Sequence, residues 1–305
     1  MGNRKPPVLV LANPKAGGGL AGELVPHLAR DLSELGYPVD VFQSAGPGNI
    51  TEKVRTLAGT WTALAVVGGD GTVREALMGE PAAEMPIAVL PAGTANVLAT
   101  EFRLPRAPRD TARMIEAGAA RTIDTGFVVR EGKAPEPFVL FVGAGADAEI
   151  VHRVHEKRAG GTLGKLRYIA PILSQLFSYK PVEHWFVLEN GDRHGPFEQV
   201  IVTNVTSYGS MWKLPGRITP DDGLLDCIGF RAKTALQLLR HGVAGSFNRL
   251  RESNKLQTWQ AARVRIESES TSRVQVDGDP LGECPVDIEV RPLSLRLLVP
   301  GEPTT

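Results

Sequence analysis

The chain has 305 residues, and its 34 Lys plus Arg balance 34 Asp plus Glu to a formal net charge of zero. That length accommodates two domains of roughly 100 to 200 residues each, and the balanced charge excludes a whole-molecule field steering the protein toward nucleic acid. Cys227 and Cys284 lack the paired spacing of zinc sites or disulfide frameworks, no stretch approaches the roughly 20 apolar residues of a membrane span, and the segment before Val8 has no signal-peptide core. A cytoplasmic protein with at most peripheral membrane contact is expected.

From Val8 to about Gly126, short continuous apolar runs alternate with helical patterns, as in a parallel sheet covered by helices. The runs Val8 to Ala12, Ala63 to Val67 and Ile87 to Leu90 read as buried strands. Leu20 to Leu35 and Ile50 to Leu57 read as helices, with Gly36 at the expected C-cap. Each strand ends in a turn rich in small residues: Asn13 to Gly19, Gly68-Gly69-Asp70-Gly71-Thr72, and Pro91-Ala92-Gly93-Thr94-Ala95-Asn96. Ligands bind beyond the carboxyl ends of strands in open α/β sheets, so the three turns predict one shared site.

Glycines in the second turn let backbone N–H groups approach a phosphate, and the following helix N-terminus adds a favourable dipole. Thr72-Val73-Arg74-Glu75 fits a capping box, with Thr72 as N-cap. Asp70 would repel a bare phosphate, whereas a nucleotide carrying Mg²⁺ resolves the conflict. A Walker loop is excluded, because Gly17-Gly18-Gly19 lead into Leu20-Ala21-Gly22-Glu23 rather than Gly-Lys-Ser/Thr. Gly143 to Ala148 imitates a dinucleotide fingerprint but lacks its distal acid, and reads as a tight turn of a second domain.

After Asp124 the pattern changes to strands with turn punctuation: Phe138 to Val142, His184 to Leu188, Gln199 to Thr203, Leu225 to Phe230, Arg263 to Ile266, Arg273 to Val276 and Val286 to Val290. This predicts an antiparallel sandwich. Two helical patterns, Leu163 to Ser178 and Thr234 to about Arg251, carry Lys165, Arg167, Arg240, Arg249 and Arg251 beside apolar residues. An interfacial helix needs that mixture, and so does an ordinary helix packed on a core. The fold expected is α/β plus β: a three-layer parallel-sheet nucleotide domain over 1–126, rejoined by 294–305, and a β-sandwich over 127–293. His152 and His155, with Arg153 between them, read as solvated surface residues.

With these residues in hand, the chain resembles the bacterial lipid kinases of the diacylglycerol kinase catalytic-domain family, to which sphingosine kinases are related. The resemblance is carried by Asn13-Pro14, Gly68 to Thr72, Pro91-x-Gly93-Thr94-x-Asn96, Asp124-x-Gly126, Gly145-x-Asp147-Ala148, Asp221 to Asp226 and Asp277-Gly278-Asp279. It implies transfer of the γ-phosphoryl of Mg-ATP to a hydroxyl of diacylglycerol or a similar lipid at a membrane surface, with homodimerisation open. Asn13, Ser44, Gly68, Gly69, Asp70, Gly71, Thr72, Val73, Arg74, Gly93, Thr94 and Asn96 would hold ATP. Asp70 would organise the nucleotide's Mg²⁺. A structural Mg²⁺ would rest on Asp222 and main-chain oxygens of Thr219 and Leu224, and Asp279 or Asp277 would accept the hydroxyl proton. The chain departs from the family pattern at Ala16, where serine is usual, at Arg74, where asparagine is common, and at Asp279, where glutamate is usual. Two alternatives stay open: a soluble-acceptor kinase related to NAD kinases and phosphofructokinases, which share the Gly-Gly-Asp-Gly turn, and a non-catalytic lipid- or nucleotide-binding relative.

Overall fold

The computed structural model describes residues 5–81, 85–156, 180–209 and 212–301; the helical pattern at 163–178 lies outside them. The chain forms two compact units, Met1–Ile123 with Leu293–Thr305, and Asp124–Pro292.

In the first unit, β1 (Val8–Ala12), β2 (Val39–Gln43), β3 (Ala63–Gly68) and β4 (Ile87–Pro91) pair in parallel in the order β2-β1-β3-β4. Every residue of β1, β3 and β4 is buried, which is why these three strands are written as unbroken apolar runs. β2 is an edge strand with Asp40, Val41 and Gln43 exposed, so its sequence carries no such run. Helices α1 (Leu20–Glu34), α2 (Asn49–Arg55), α3 (Asp70–Leu77), α4 (Val97–Glu101) and α5 (Pro108–Ala117) complete the unit; α1 packs against α5, and α2 against α3. Gly36, at φ +82°, closes α1 in the left-handed conformation that favours glycine.

The second unit is built of antiparallel strands. Its members are β5 (Ala120–Val129), β6 (Glu136–Phe138), β7 (Phe141–Gly145), β8 (His184–Leu188), β9 (Arg193–Phe197), β10 (Gln199–Thr203), β11 (Ser207–Tyr208), β12 (Trp212–Lys213), β13 (Leu225–Phe230), β14 (Leu256–Ala261), β15 (Arg263–Ser268), β16 (Arg273–Val276), β17 (Asp279–Glu283) and β18 (Val286–Leu298). One sheet runs β14-β13-β10-β7-β16-β17; another contains β18-β15-β8-β9. Phe138, Phe186, Phe197, Val202, Cys227, Ile266 and Val276 form the core of this unit. Among the described residues, helices α6 (Ala146–Glu156) and α7 (Ala235–Ser246) interrupt the strands. The chain passes between the units within β5 and near Leu293 of β18, whose Leu297 pairs in parallel with Ile87 of β4.

The expected strand Phe138 to Val142 is broken in two, because the amides of Val139 and Leu140 are turned onto a carboxylate described below. Gly126 is required by packing: a Cβ there would lie 2.0 Å from the Phe138 ring. His152 is half-buried, with its Nε2 2.9 Å from the Val274 carbonyl, so it is not the solvated residue expected.

His184 is fully buried, its ring between the Phe197 carbonyl and the Ser272 hydroxyl. Desolvation lowers its pKa to about 4. Between about 4 and the ordinary 6.5 the unfolded chain binds the extra proton, so this residue removes stability as pH falls through that window, by about 3 kcal/mol when complete. Thermal melts should therefore show wild type losing stability from pH 6.5 to 4.5 more steeply than His184→Asn, and parallel curves would refute the assignment.

Candidate functional site

The three small-residue turns meet at the carboxyl ends of β1, β3 and β4. Asn13 N–H donates to the Val67 carbonyl, and Ala92 N–H to that of Gly68. Gly17, at φ +62°, sits so close to the third turn that a Cβ would be 2.0 Å from the Ala92 carbonyl oxygen. A Cβ on Gly93 would be 2.5 Å from Gly69 Cα. The glycines at 17, 69 and 93 are thus needed for the turns to touch. Asn96, at φ +50°, locks the third turn by accepting from Gly93 N–H at 2.8 Å and donating to the Gly93 carbonyl at 2.8 Å. Gly17, Gly18, Gly71 and Thr94 are left exposed, in turns whose flanking backbone is pinned. Lys15, also exposed at this rim, is a cation that motif reasoning passed over.

Asp70 has a partner the sequence did not disclose. Its carboxylate accepts the amides of Val97 at 3.0 Å and Leu98 at 3.1 Å, fastening the second turn to the first turn of α4. Burial pushes its pKa up, and the amides oppose the shift.

The capping box is corrected. Helix α3 begins at Asp70 with Gly69 as N-cap and no side-chain cap. Thr72 lies inside the first turn, buried, where its side chain fills the space that a Cβ on Gly68 would occupy. Glu75 accepts instead from Ile50 N–H at the start of α2. The cause is Gly69, whose extended backbone (φ −99°, ψ −173°) lets the helix start earlier. Val73 is buried, so only its backbone can serve a ligand. Arg74 is 8% exposed, so it is not a solvated helix residue. Ser44 is buried and donates its hydroxyl to the Gly46 carbonyl at 2.6 Å, and Asn13 accepts from Lys15 N–H at 3.1 Å; both shape turns.

In the second unit, Asp277 adopts φ +48° and its carboxylate accepts three amides, those of Val139, Leu140 and Phe141, at 2.9 to 3.0 Å. A carboxylate so engaged holds two strand ends together. Asp279, at the start of β17, is half-buried. Asp124 pins the 220–223 segment, accepting from Gly223 N–H at 2.7 Å, while its own N–H donates to the Pro220 carbonyl. Asp222 is exposed and accepts from Leu224 N–H at 3.0 Å. Beside it, one Asp226 oxygen is buried without a hydrogen-bond partner, and burial reinforced by the Asp222 charge raises the Asp226 pKa to about 6. An all-oxygen donor set with an orphaned carboxylate oxygen suits a hard cation. Among the described residues no three His, Cys, Asp or Glu side chains converge as metal ligands, so a cation here would depend on main-chain carbonyls and water.

The largest surprise is an apolar slot of about 440 Å³ in the second unit, lined by Ile150, Val151, Ile201, Trp212, Leu238 and Phe230 among others. Asp147 and Tyr208 also line it. Tyr208 OH donates to Asp147 at 2.9 Å, Gln199 at 2.7 Å and Gln275 at 3.1 Å donate to the same carboxylate, and burial still pushes the Asp147 pKa up. Gln275 in turn accepts from Gly278 N–H at 2.9 Å, linking the slot's polar lining to the Asp277-Gly278-Asp279 turn. Gly143 makes room for Asp147, since a Cβ there would meet Oδ2 at 2.2 Å. The Gly143 to Ala148 segment is the junction of β7 with α6.

Comparison with known proteins agrees with this construction. Residues 7–128 match the diacylglycerol kinase catalytic domain, and residues 140–299 match the YegS C-terminal NAD kinase beta sandwich-like domain. A diacylglycerol kinase of Mycobacterium tuberculosis is 28% identical over 305 residues, spanning 96% of this chain and 95% of that protein. Diacylglycerol kinase 2 of Arabidopsis thaliana is 26% identical over 335 residues, matching 93% of this chain to 44% of its own length. A structure described as a diacylglycerol kinase from Bacillus anthracis shares the fold, with a TM-score of 0.73 at 20% identity over 97% of each chain. With both units matched in order, the chain belongs to the diacylglycerol kinase-like family of lipid kinases.

Proposed function

We propose that this protein transfers the γ-phosphoryl group of ATP to a hydroxyl of diacylglycerol or a closely similar lipid. The observation that carries the lipid acceptor is the apolar slot, whose polar lining is hydrogen-bonded through Gln275 to the turn bearing Asp279. A soluble sugar or nucleotide acceptor has no use for such a lining, and a protein that only bound nucleotide would have no use for the linkage.

In this reading the exposed backbone of the Gly17 to Gly19, Gly69 to Gly71 and Gly93 to Thr94 turns receives the phosphates, with α3 adding its N-terminal dipole. Asp70 and Asn96 hold those turns in register. Asp147 and Tyr208 orient the acceptor, and Asp279 takes the proton from its hydroxyl. Magnesium bound with the nucleotide would supply charge neutralisation at the phosphates, and a structural cation would be held by Asp222 with main-chain oxygens of Thr219 and Leu224. Positioning supplies most of the rate, as little covalent chemistry falls to the protein.

The test is transfer of labelled γ-phosphate from Mg-ATP into the organic phase, with diacylglycerol, monoacylglycerol, sphingoid base, ceramide and phosphatidylglycerol offered in mixed micelles. Label in one lipid is expected. Ile201→Trp, which fills the slot, should raise the KM for that lipid at least roughly tenfold through overpacking and lost burial while leaving the KM for ATP unchanged. An unchanged lipid KM would remove the slot from the acceptor site.

A further inference from the structure

Helix α7 is apolar on two faces. Its inner face lies over the slot through Leu238 and Gly242, and a Cβ on Gly245 would lie 3.2 Å from the Trp212 ring. Its outer face carries Leu236, Leu239, Val243 and the adjoining Phe247 at spacings of three and four, a single stripe on a 3.6-residue helix. These side chains are 57%, 47%, 50% and 67% exposed, and they account for four of the seven large hydrophobics exposed on the described residues. A helix that packs only on a core would carry polar residues there.

The surroundings identify what the stripe faces. Between Phe230 and Lys255 the chain places Arg231, Lys233, Arg240, Arg249, Arg251 and Lys255 against one acid, Glu252, in a protein whose total charge is zero. All six cations are exposed. Arg240 follows Leu239 along the stripe, and Arg249 lies 5.8 Å from the Phe247 ring. An apolar stripe bordered by cations complements an anionic lipid surface, where apolar side chains enter the acyl boundary and Arg and Lys meet head groups. Leu239 and Val243 also line the slot, so the exposed stripe is continuous with the wall of the cavity.

We infer that the outer face of α7, from Leu236 to Phe247, docks the protein on anionic bilayers and sets the slot against the lipid. The inference rests on the lipid-acceptor reading only for the purpose of the docking; the docking itself is read without turnover.

The experiment uses the full chain in flotation with vesicles of phosphatidylcholine alone or mixed with phosphatidylglycerol. Wild type should float with the mixed vesicles and be released by salt. Leu236→Glu/Phe247→Glu changes two side chains outside the slot lining, and should weaken that binding at least roughly tenfold, with ATP-induced thermal stabilisation unchanged. Arg240→Glu/Arg249→Glu provides a second variant that leaves the apolar stripe intact and should weaken binding to the mixed vesicles selectively. Phosphorylation of a short-chain diacylglycerol in solution should survive in both variants, while that of vesicle-embedded diacylglycerol falls. Undiminished flotation of the variants, equal binding to both vesicle types, or a wild-type dimer that ignores vesicles and dissociates in the Leu236/Phe247 variant would each overturn the inference. Loss of flotation in the variants with no transfer to any lipid by wild type would leave the docking face standing and sink the lipid acceptor.

Discussion

Asp70→Asn should lose both stability and transfer, and the loss of stability is the informative part. A carboxylate that only met magnesium could become an amide with the fold untouched. Here both oxygens receive main-chain N–H groups, from Val97 and Leu98. Asparagine supplies one acceptor and turns an NH₂ toward the other amide, leaving a donor without its partner, a cost of about 1 to 3 kcal/mol. The third turn is then held less firmly against the second, with the Ala92 N–H to Gly68 carbonyl bond remaining, and displacement of a reacting group by about 1 Å costs roughly 100-fold in rate. Melting and ATP titration on the same preparation separate the two accounts. A lowered Tm together with weaker ATP binding supports the clamp. An unaltered Tm with activity lost and magnesium dependence changed would return Asp70 to the metal.

The fold was legible where one physical rule governs a whole element. Strands β1, β3 and β4 are buried from end to end and therefore apolar from end to end, and their turns need glycine because backbones touch. Strand β2 was hidden because an edge strand follows no unbroken apolar run. Within the candidate site, the partners of the predicted residues were not legible. Nothing in the spacing of Asp70 points to Val97 and Leu98, and nothing local ties Asp277 to the amides at 139–141, since both links join residues far apart in the chain. The capping box was misread because Thr72 and Glu75 have the right spacing, whereas Gly69 decides where α3 begins. The slot was invisible for a related reason: Ile150, Ile201, Trp212 and Leu238 come from four different elements, and each alone reads as core.

Asp277 and Asp279, which motif reasoning could not tell apart, should separate cleanly under substitution. Asp277→Asn keeps a residue that tolerates φ +48°, so backbone strain is not at issue. It forfeits charge-assisted acceptance from three amides, and a stability loss of about 2 to 3 kcal/mol is expected. Asp279→Asn is isosteric at a half-buried strand start and should lower kcat by roughly 100-fold or more if the carboxylate accepts the hydroxyl proton. Asp279→Glu tests reach. The longer side chain, by about 1.5 Å, should retain or raise turnover if the hydroxyl is held at the slot's polar lining, because that is the residue the family pattern carries there. Wild-type turnover in Asp279→Asn would remove the general base from the mechanism and leave phosphoryl transfer here to positioning and charge alone. A Tm loss in Asp279→Asn matching that of Asp277→Asn would instead make the whole turn a structural clasp, with the proton acceptor to be sought elsewhere in the slot's polar lining.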